Sequence, residues 1–313
     1  MLAIDDNGRL FSWGYGKSGR LGHGDAEDRQ TPCLVEFFAS TLWVDQCSAG
    51  FAHSAVLTRP RSAVTSKESV LDLCLPKLSQ FDDSSVETRR LSTFGRGAHG
   101  RLGYGSNRTY SKPVLVSQWP SFLTSKGNNR WQLLAVTCGG AHTLALAAYP
   151  VKKCLANPWG VETVVLAWGF GTNGQLGDGY AKDRLTPVRC RMHNRCEVIV
   201  EISAGKTWSA ARSADGQVYT WGKGLRGQLG QGAARFSLVP RPAPALSSFL
   251  KISSGYSHNV GITTAKKLLN GKLRLTDIRK EPTSSYGNIF RPLSGQVLSL
   301  VNKKSTSAFR FDW

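Results

Sequence analysis

Four strings of the form Gly-x-Gly-x-x-Gly, starting at Gly14, Gly95, Gly169 and Gly222, raise a dinucleotide-binding reading first. That chemistry needs the glycines to end a strand and open a helix, whose N-terminus holds the pyrophosphate. Here Leu-Gly-x-Gly follows every string and no helical periodicity succeeds it. The strings therefore read as turns, and no nucleotide cofactor is expected. His53, His142 and His258 are candidate bases or metal ligands by type. They fall at one equivalent place per repeat, however, and Trp208 holds that place in the third. A position that accepts Trp reads as structural, linking neighbouring strands by hydrogen bonds. Cys190, His193 and Cys196 are close in sequence, yet a zinc site wants four ligands, so no metal is expected. The acids Asp82, Asp83 and Glu87 sit in a polar stretch and read as solvated. With no phosphate-binding loop, nucleophile elbow or paired catalytic carboxylates, the sequence predicts a binding protein and no enzyme.

What the chain binds is approached through charge. The formal net charge is +19 over 313 residues, and it is unevenly spread. Residues 1–57 carry net −3, whereas residues 93–160 hold eight basic groups and no acid. Those eight are Arg96, Arg101, Arg108, Lys112, Lys126, Arg130, Lys152 and Lys153, interleaved with Tyr104, Tyr110, Trp119 and Trp131. The last 51 residues add Lys303, Lys304 and Arg310 to a second basic region of net +7. Basic groups displace counterions from phosphates, and aromatics stack on unpaired bases, so these eleven residues are candidate contacts for RNA or another anion. An ordinary cationic surface over core aromatics fits the same residues, and both readings stand open.

The elements that position these groups follow from an internal repeat. The extended signature Gly-x-Gly-x-x-Gly-x-Leu-Gly-x-Gly occurs four times without mismatch. An aromatic precedes each copy (Trp13, Phe94, Trp168, Trp221), and a proline follows its last glycine by eight residues (Pro32, Pro113, Pro187, Pro240). Further on comes Gly-x-x-His or its Trp variant, from Gly50, Gly139, Gly205 and Gly255, then a short apolar alternation. Val218-Tyr219-Thr220-Trp221 alternates at period two behind Asp215-Gly216, and Asn7-Gly8 precedes a similar run; both are hairpin signals. Short strands and little helix are predicted.

Together the four glycine signatures, the Gly-x-x-His elements and the Asp-Gly-x-x-Tyr-x-Trp hairpin resemble the regulator-of-chromosome-condensation repeat. The resemblance covers roughly residues 1–57, 93–148 and 163–262. It implies an all-β, β-propeller-like array of about four four-stranded blades with loop insertions. The founding type has seven repeats in a closed ring and this chain shows four, so an open or irregular array is favoured over a small closed one. The first glycines of the signatures are 81, 74 and 53 residues apart, which places insertions in the first two intervals, the largest at 58–92. The predicted organisation is a repeat domain over 1–262, with repeats near 1–57, 93–148, 163–212 and 213–262. A basic extension follows over 263–313, where Leu269-Asn270-Gly271 looks like one more hairpin and Leu298–Val301 like a strand.

Function is read as a non-catalytic scaffold of a ribonucleoprotein such as the mitochondrial ribosome, with rRNA and neighbouring proteins as partners. Association of some family relatives with organelle translation supports that expectation by analogy. The alternatives are a guanine-nucleotide exchange factor for a small GTPase, as the resemblance implies, and a chromatin or general protein-interaction module meeting a histone surface. Seven scattered cysteines suit a reducing compartment. The opening Met1–Asp6 resembles neither a secretory signal nor an intact transit peptide, and no apolar run reaches membrane-spanning length. A mitochondrial matrix location is favoured, with the nucleus or cytoplasm as alternatives, and secretion is not expected.

Overall fold

The computed structural model describes residues 1–63, 89–124, 131–152, 158–192, 197–243 and 248–263. Antiparallel strands dominate, arranged as successive sheets. The first sheet holds β1 (Leu2–Ile4), β2 (Leu10–Gly14) and β3 (Arg29–Leu34). Three four-stranded sheets follow. The second holds β4 (Leu42–Ala49), β5 (His53–Pro60), β6 (Arg90–Gly95) and β7 (Tyr110–Leu115). The third holds β8 (Gln132–Cys138), β9 (His142–Pro150), β10 (Val161–Gly169) and β11 (Arg184–Arg189). The fourth holds β12 (Ile199–Ala204), β13 (Trp208–Ser213), β14 (Val218–Lys223) and β15 (Phe236–Pro242). A fifth, two-stranded sheet pairs β16 (Phe249–Ser254) with β17 (Asn259–Thr263).

This is the expected propeller-like array, and among the described residues it is open: three blades are complete, while the first and last have three and two strands. Sequence repeat and blade are out of phase. Each glycine signature follows the strand next to the outermost one of its blade, and the Gly-x-x-His or Gly-x-x-Trp element of the same repeat joins the first two strands of the next. The strands also reach into the stretch read as the largest insertion, since β5 extends to Pro60 and β6 starts at Arg90. The rest of that insertion and the hairpin and strand read at 269–275 and 298–301 lie outside the described residues. No described helix is long and apolar enough to cross a membrane.

Blade stacking explains the apolar pattern. In β9, Leu144 and Leu146 enter the core between the third and fourth blades, while Ala145 and Ala147 enter the core between the second and third. In β10, Val165 and Ala167 take the first direction, and Val164, Leu166 and Trp168 the second. A strand sandwiched between two blades buries both faces, so successive side chains serve alternate cores. The prolines of the signature lie instead on β3, β7, β11 and β15, the outermost strands, where a missing N–H leaves no ladder bond unmade.

Close approach sets the glycines. The first glycine of each signature has φ between 98° and 105°, a region that favours glycine. The second lies so near the following outer-strand loop that a Cβ on Gly97 would stand 1.8 Å from the Arg108 carbonyl oxygen. Its N–H donates to Thr109 Oγ1 at 3.2 Å, and those of Gly16 and Gly171 to Asp28 and Asp183 Oδ1 at 2.7 and 2.9 Å.

Candidate binding face at the array axis

The innermost strands β4, β8, β12 and β16 stand side by side. Polar side chains of one tie the backbone of the next: Gln46 Oε1 accepts from Val136 N–H at 2.9 Å and Ser48 Oγ from Cys138 N–H at 2.9 Å. Ser203 Oγ accepts from Ser254 N–H at 2.8 Å in the same way. Each inner strand ends in a Gly-x-x-His turn, and successive turns touch, with Phe51 N–H donating to the Gly139 carbonyl at 3.3 Å and Gly140 N–H to that of Gly205 at 3.1 Å.

The repeat histidines bridge the blades behind these turns. His53 Nε2 lies 2.9 Å from Thr143 Oγ1, which in turn donates to the Arg101 carbonyl at 2.8 Å. His142 Nε2 lies 3.0 Å from Ser209 Oγ, which donates to the Gln175 carbonyl at 2.8 Å. At the third junction Trp208 Nε1 donates to Asn259 Oδ1 at 3.0 Å, and Asn259 Nδ2 passes the link to the Gln228 carbonyl at 2.6 Å. A hydroxyl has one proton, and the carbonyl takes it, so both histidines donate from Nε2; their depressed pKa values then keep the rings neutral. Burial and the nearby Arg101 charge hold the His142 ring down to about 3, and burial holds His53 well below its usual range. His258, in the last turn, is exposed and has no side-chain hydrogen bond among the described residues.

In front of the turns opens a concavity of about 600 Å³, lined by backbone of all four Gly-x-x-His elements and by Phe51, Arg96, Arg101, Phe170, Lys206 and Tyr256. Phe51 is 71% and Tyr256 63% exposed. Lys206 Nζ sits 4.1 Å from the Tyr256 ring centroid and donates to its hydroxyl. Arg101 is only 4% exposed. Its Nε donates to the Ala98 carbonyl at 2.9 Å and Nη1 to the Gly140 carbonyl at 3.3 Å, and it makes no ion pair with a described acid. Burial, helped by the neighbouring Arg96 and Arg20 charges, lowers its pKa to about 10. Arg20 repeats the arrangement one blade earlier, with Nη1 donating to the Phe51 carbonyl at 2.7 Å and the guanidinium 4.8 Å from the Tyr15 ring.

Of the basic residues singled out in sequence, the structure thus brings Arg96 and Arg101 together. Arg108 stacks over Tyr110 at 5.4 Å beside the outermost strand of the second blade, and Lys112 lies within that strand. Lys152 follows the end of β9 remote from His142. Lys126, Arg130, Lys153, Lys303, Lys304 and Arg310 lie outside the described residues. Arg20 and Lys206 were not singled out; their signal is register, since Arg20 matches Arg101 and Lys206 matches Phe51 within the repeat. Cys190 is buried, donates to the Leu176 carbonyl at 3.0 Å and has its thiol pKa pushed up by burial, while His193 and Cys196 lie outside the described residues. No group of three or more metal-ligating side chains occurs among the described residues.

Comparison with known proteins agrees with the architecture. The family model described as the regulator of chromosome condensation (RCC1) repeat matches residues 7–57, 90–146, 164–212 and 215–262. The human E3 ubiquitin-protein ligase HERC2 is 28% identical over 264 residues, covering 84% of this chain and 4% of that protein. The ultraviolet-B receptor UVR8 of Arabidopsis thaliana is 27% identical over 256 residues, covering 81% of this chain and 47% of the receptor. The chain therefore spans less than half the length of either relative. Among solved structures, Prp20p of Saccharomyces cerevisiae, described with its binding properties to Gsp1p and histones, superposes with a TM-score of 0.56 at 20% identity, covering 84% of this chain and 52% of Prp20p. At that identity the likeness speaks for the fold alone.

Proposed function

We propose that this chain, which belongs to the regulator of chromosome condensation (RCC1) repeat family, is a non-catalytic protein-interaction module that meets its partner across the axial face. The concavity ringed by the four Gly-x-x-His or Gly-x-x-Trp turns carries this reading, because highly exposed Phe51 and Tyr256 stand at its rim beside cations that form no ion pair with a described acid. Exposed aromatics and arginines are the side chains enriched at interface centres. The buried histidines take no part in chemistry, since each is already committed to an inter-blade bond. The binding of Prp20p to Gsp1p and histones points toward a small GTPase or a histone as the kind of partner. A test for nucleotide release from small GTPases by the full chain separates an exchange factor from a plain docking module.

A ribonucleoprotein scaffold, such as a component of the mitochondrial ribosome located in the matrix, is the second reading. The net charge of +19 favours it, although the described cations of the 93–160 stretch fall at separate places on the fold. Gradient sedimentation of the tagged endogenous protein, with and without RNase, decides between the two. Complexes indifferent to RNase, with crosslinks on the axial turns, support the protein-interaction module. A large particle that RNase collapses overturns it in favour of the scaffold.

A further inference from the structure

Arg101 is a nearly buried cation that forms no ion pair with a described acid. The residue is 4% exposed, two of its donors are spent on backbone carbonyls, and the charge of Asp183 acts on it only as a minor influence. Burying an unpaired ion is costly, so a protein keeps one where something else supplies the counter-charge. Two further cations bear on the same place: Arg96 lines the concavity beside it, and Arg20 reaches the adjoining turn through the Phe51 carbonyl. The repeat itself supplies a comparison. The positions equivalent to Arg20 and Arg101 are Gln175 and Gln228 in the third and fourth copies, each accepting a backbone N–H of its own turn, from Asn173 at 3.1 Å and Arg226 at 2.8 Å. The turn is thus complete with a neutral side chain, and the arginines exceed what its geometry needs. Positive charge gathers on the side of the first and second blades, facing Lys206 and Tyr256 across the opening.

We propose that the axial concavity is a docking site for an acidic peptide segment of a protein partner, one carboxylate of which pairs with Arg101 and Arg96 while an apolar side chain packs between Phe51 and Tyr256. The inference rests on the interaction-module reading and names its ligand. Arginine's planar fork matches a carboxylate bidentately, which suits a nearly buried group with few orientations. Peptide is favoured over single-stranded nucleic acid by the layout of charge. A strand of nucleotides needs cations spaced along a groove to follow its phosphates, whereas here they form one compact cluster. Arg108 and Lys112 lie away on the outermost strand of the second blade and do not continue it.

The test is fluorescence anisotropy of the full chain with two labelled probes, hexaglutamate and hexauridylate, at fixed salt. Arg101→Gln installs the residue that the third and fourth repeats carry, and Arg96→Phe installs the Phe170 of the third repeat, so both are built for this fold. Each should weaken hexaglutamate binding at least tenfold, while Arg108→Gln stays within twofold of the parent. Hexaglutamate should also raise the melting temperature of the parent and leave that of Arg101→Gln unmoved. If Arg101→Gln does not fold, Arg96→Phe decides alone. The proposal is overturned if hexaglutamate does not bind, if both variants bind it as the parent does, or if hexauridylate binds as tightly with the same dependence on Arg101. Absence of hexaglutamate binding beside axial crosslinks to an endogenous protein would sink the peptide assignment and leave the module reading standing. Collapse of the native complex by RNase would sink the module reading itself.

Discussion

His53 Nε2 and Thr143 Oγ1 lie 2.9 Å apart although 90 residues separate them, and this contact joins the second blade to the third. The same link recurs between His142 and Ser209, and in altered chemistry between Trp208 and Asn259. The donor and its acceptor must therefore change together. His142→Ala should cost about 2–3 kcal/mol, because a cavity opens and a buried hydroxyl loses a partner. His142→Trp alone should be similarly harmful, and adding Ser209→Asn should recover about 1 kcal/mol or more by recreating the third junction. Urea unfolding of the two single variants and the double variant measures that coupling.

The same histidines make stability depend on pH. Both are neutral in the fold with depressed pKa values, that of His142 about 3, whereas an unfolded His titrates near 6.5. The unfolded chain therefore binds protons first. Stability is unaffected by these groups above about pH 7 and falls as the pH drops below about 6.5, for His142 down to about 3. At pH 4.5 the His142 site should have lost about 2–3 kcal/mol, from two pH units at about 1.4 kcal/mol each, and His53 adds a loss of the same sign. Replacing His142 by Gln should flatten the decline between pH 6.5 and 4.5, read as the difference in urea midpoint shifts. An equally steep decline would contradict a neutral buried ring.

The propeller was legible because its turns demand backbone conformations that few residues other than glycine adopt, and Gly14, Gly95, Gly169 and Gly222 recur in step with an aromatic and a proline. The structural reading of His53, His142 and Trp208 came from their equivalence, without which His53 and Thr143 would be two unrelated residues far apart. The phase between repeat and blade was not legible, because a linear period has no mark for where a sheet begins. Nor was the grouping of cations. Arg101 and Arg108 are seven residues apart, yet one is buried at the axis and the other stacks beside the outermost strand of the second blade. Their separation depends on which side of the signature loop each falls, and that is decided in three dimensions.

Gly97 provides a test of close approach that is independent of φ. Its backbone does not lie in the left-handed region, yet a Cβ would come within 1.8 Å of the Arg108 carbonyl oxygen. Gly97→Ala should force the signature loop from the outer strand, break the Gly97 N–H bond to Thr109, and cost about 2 kcal/mol or more. The loss should appear as a lowered melting temperature together with faster hydrogen exchange at that loop. An alanine variant as stable as the parent would show that the loop can yield without harm.

Trp168 and Trp221 occupy equivalent positions, both fully buried, but differ in one bond. Trp221 Nε1 donates to the Gln175 carbonyl at 2.9 Å, whereas Trp168 Nε1 is buried without a described partner. The second repeat carries Phe94 at this position, so phenylalanine suits the site in shape. Trp168→Phe removes an unsatisfied donor along with some apolar volume, and these effects oppose each other. Trp221→Phe removes similar volume and also a satisfied donor, although Ser209 still serves the same carbonyl. Trp221→Phe should therefore be more destabilising than Trp168→Phe by about 1–2 kcal/mol, measured by urea unfolding of the two variants side by side. Equal losses would mean that the indole bond at Gln175 contributes nothing net, and that packing alone sets both positions.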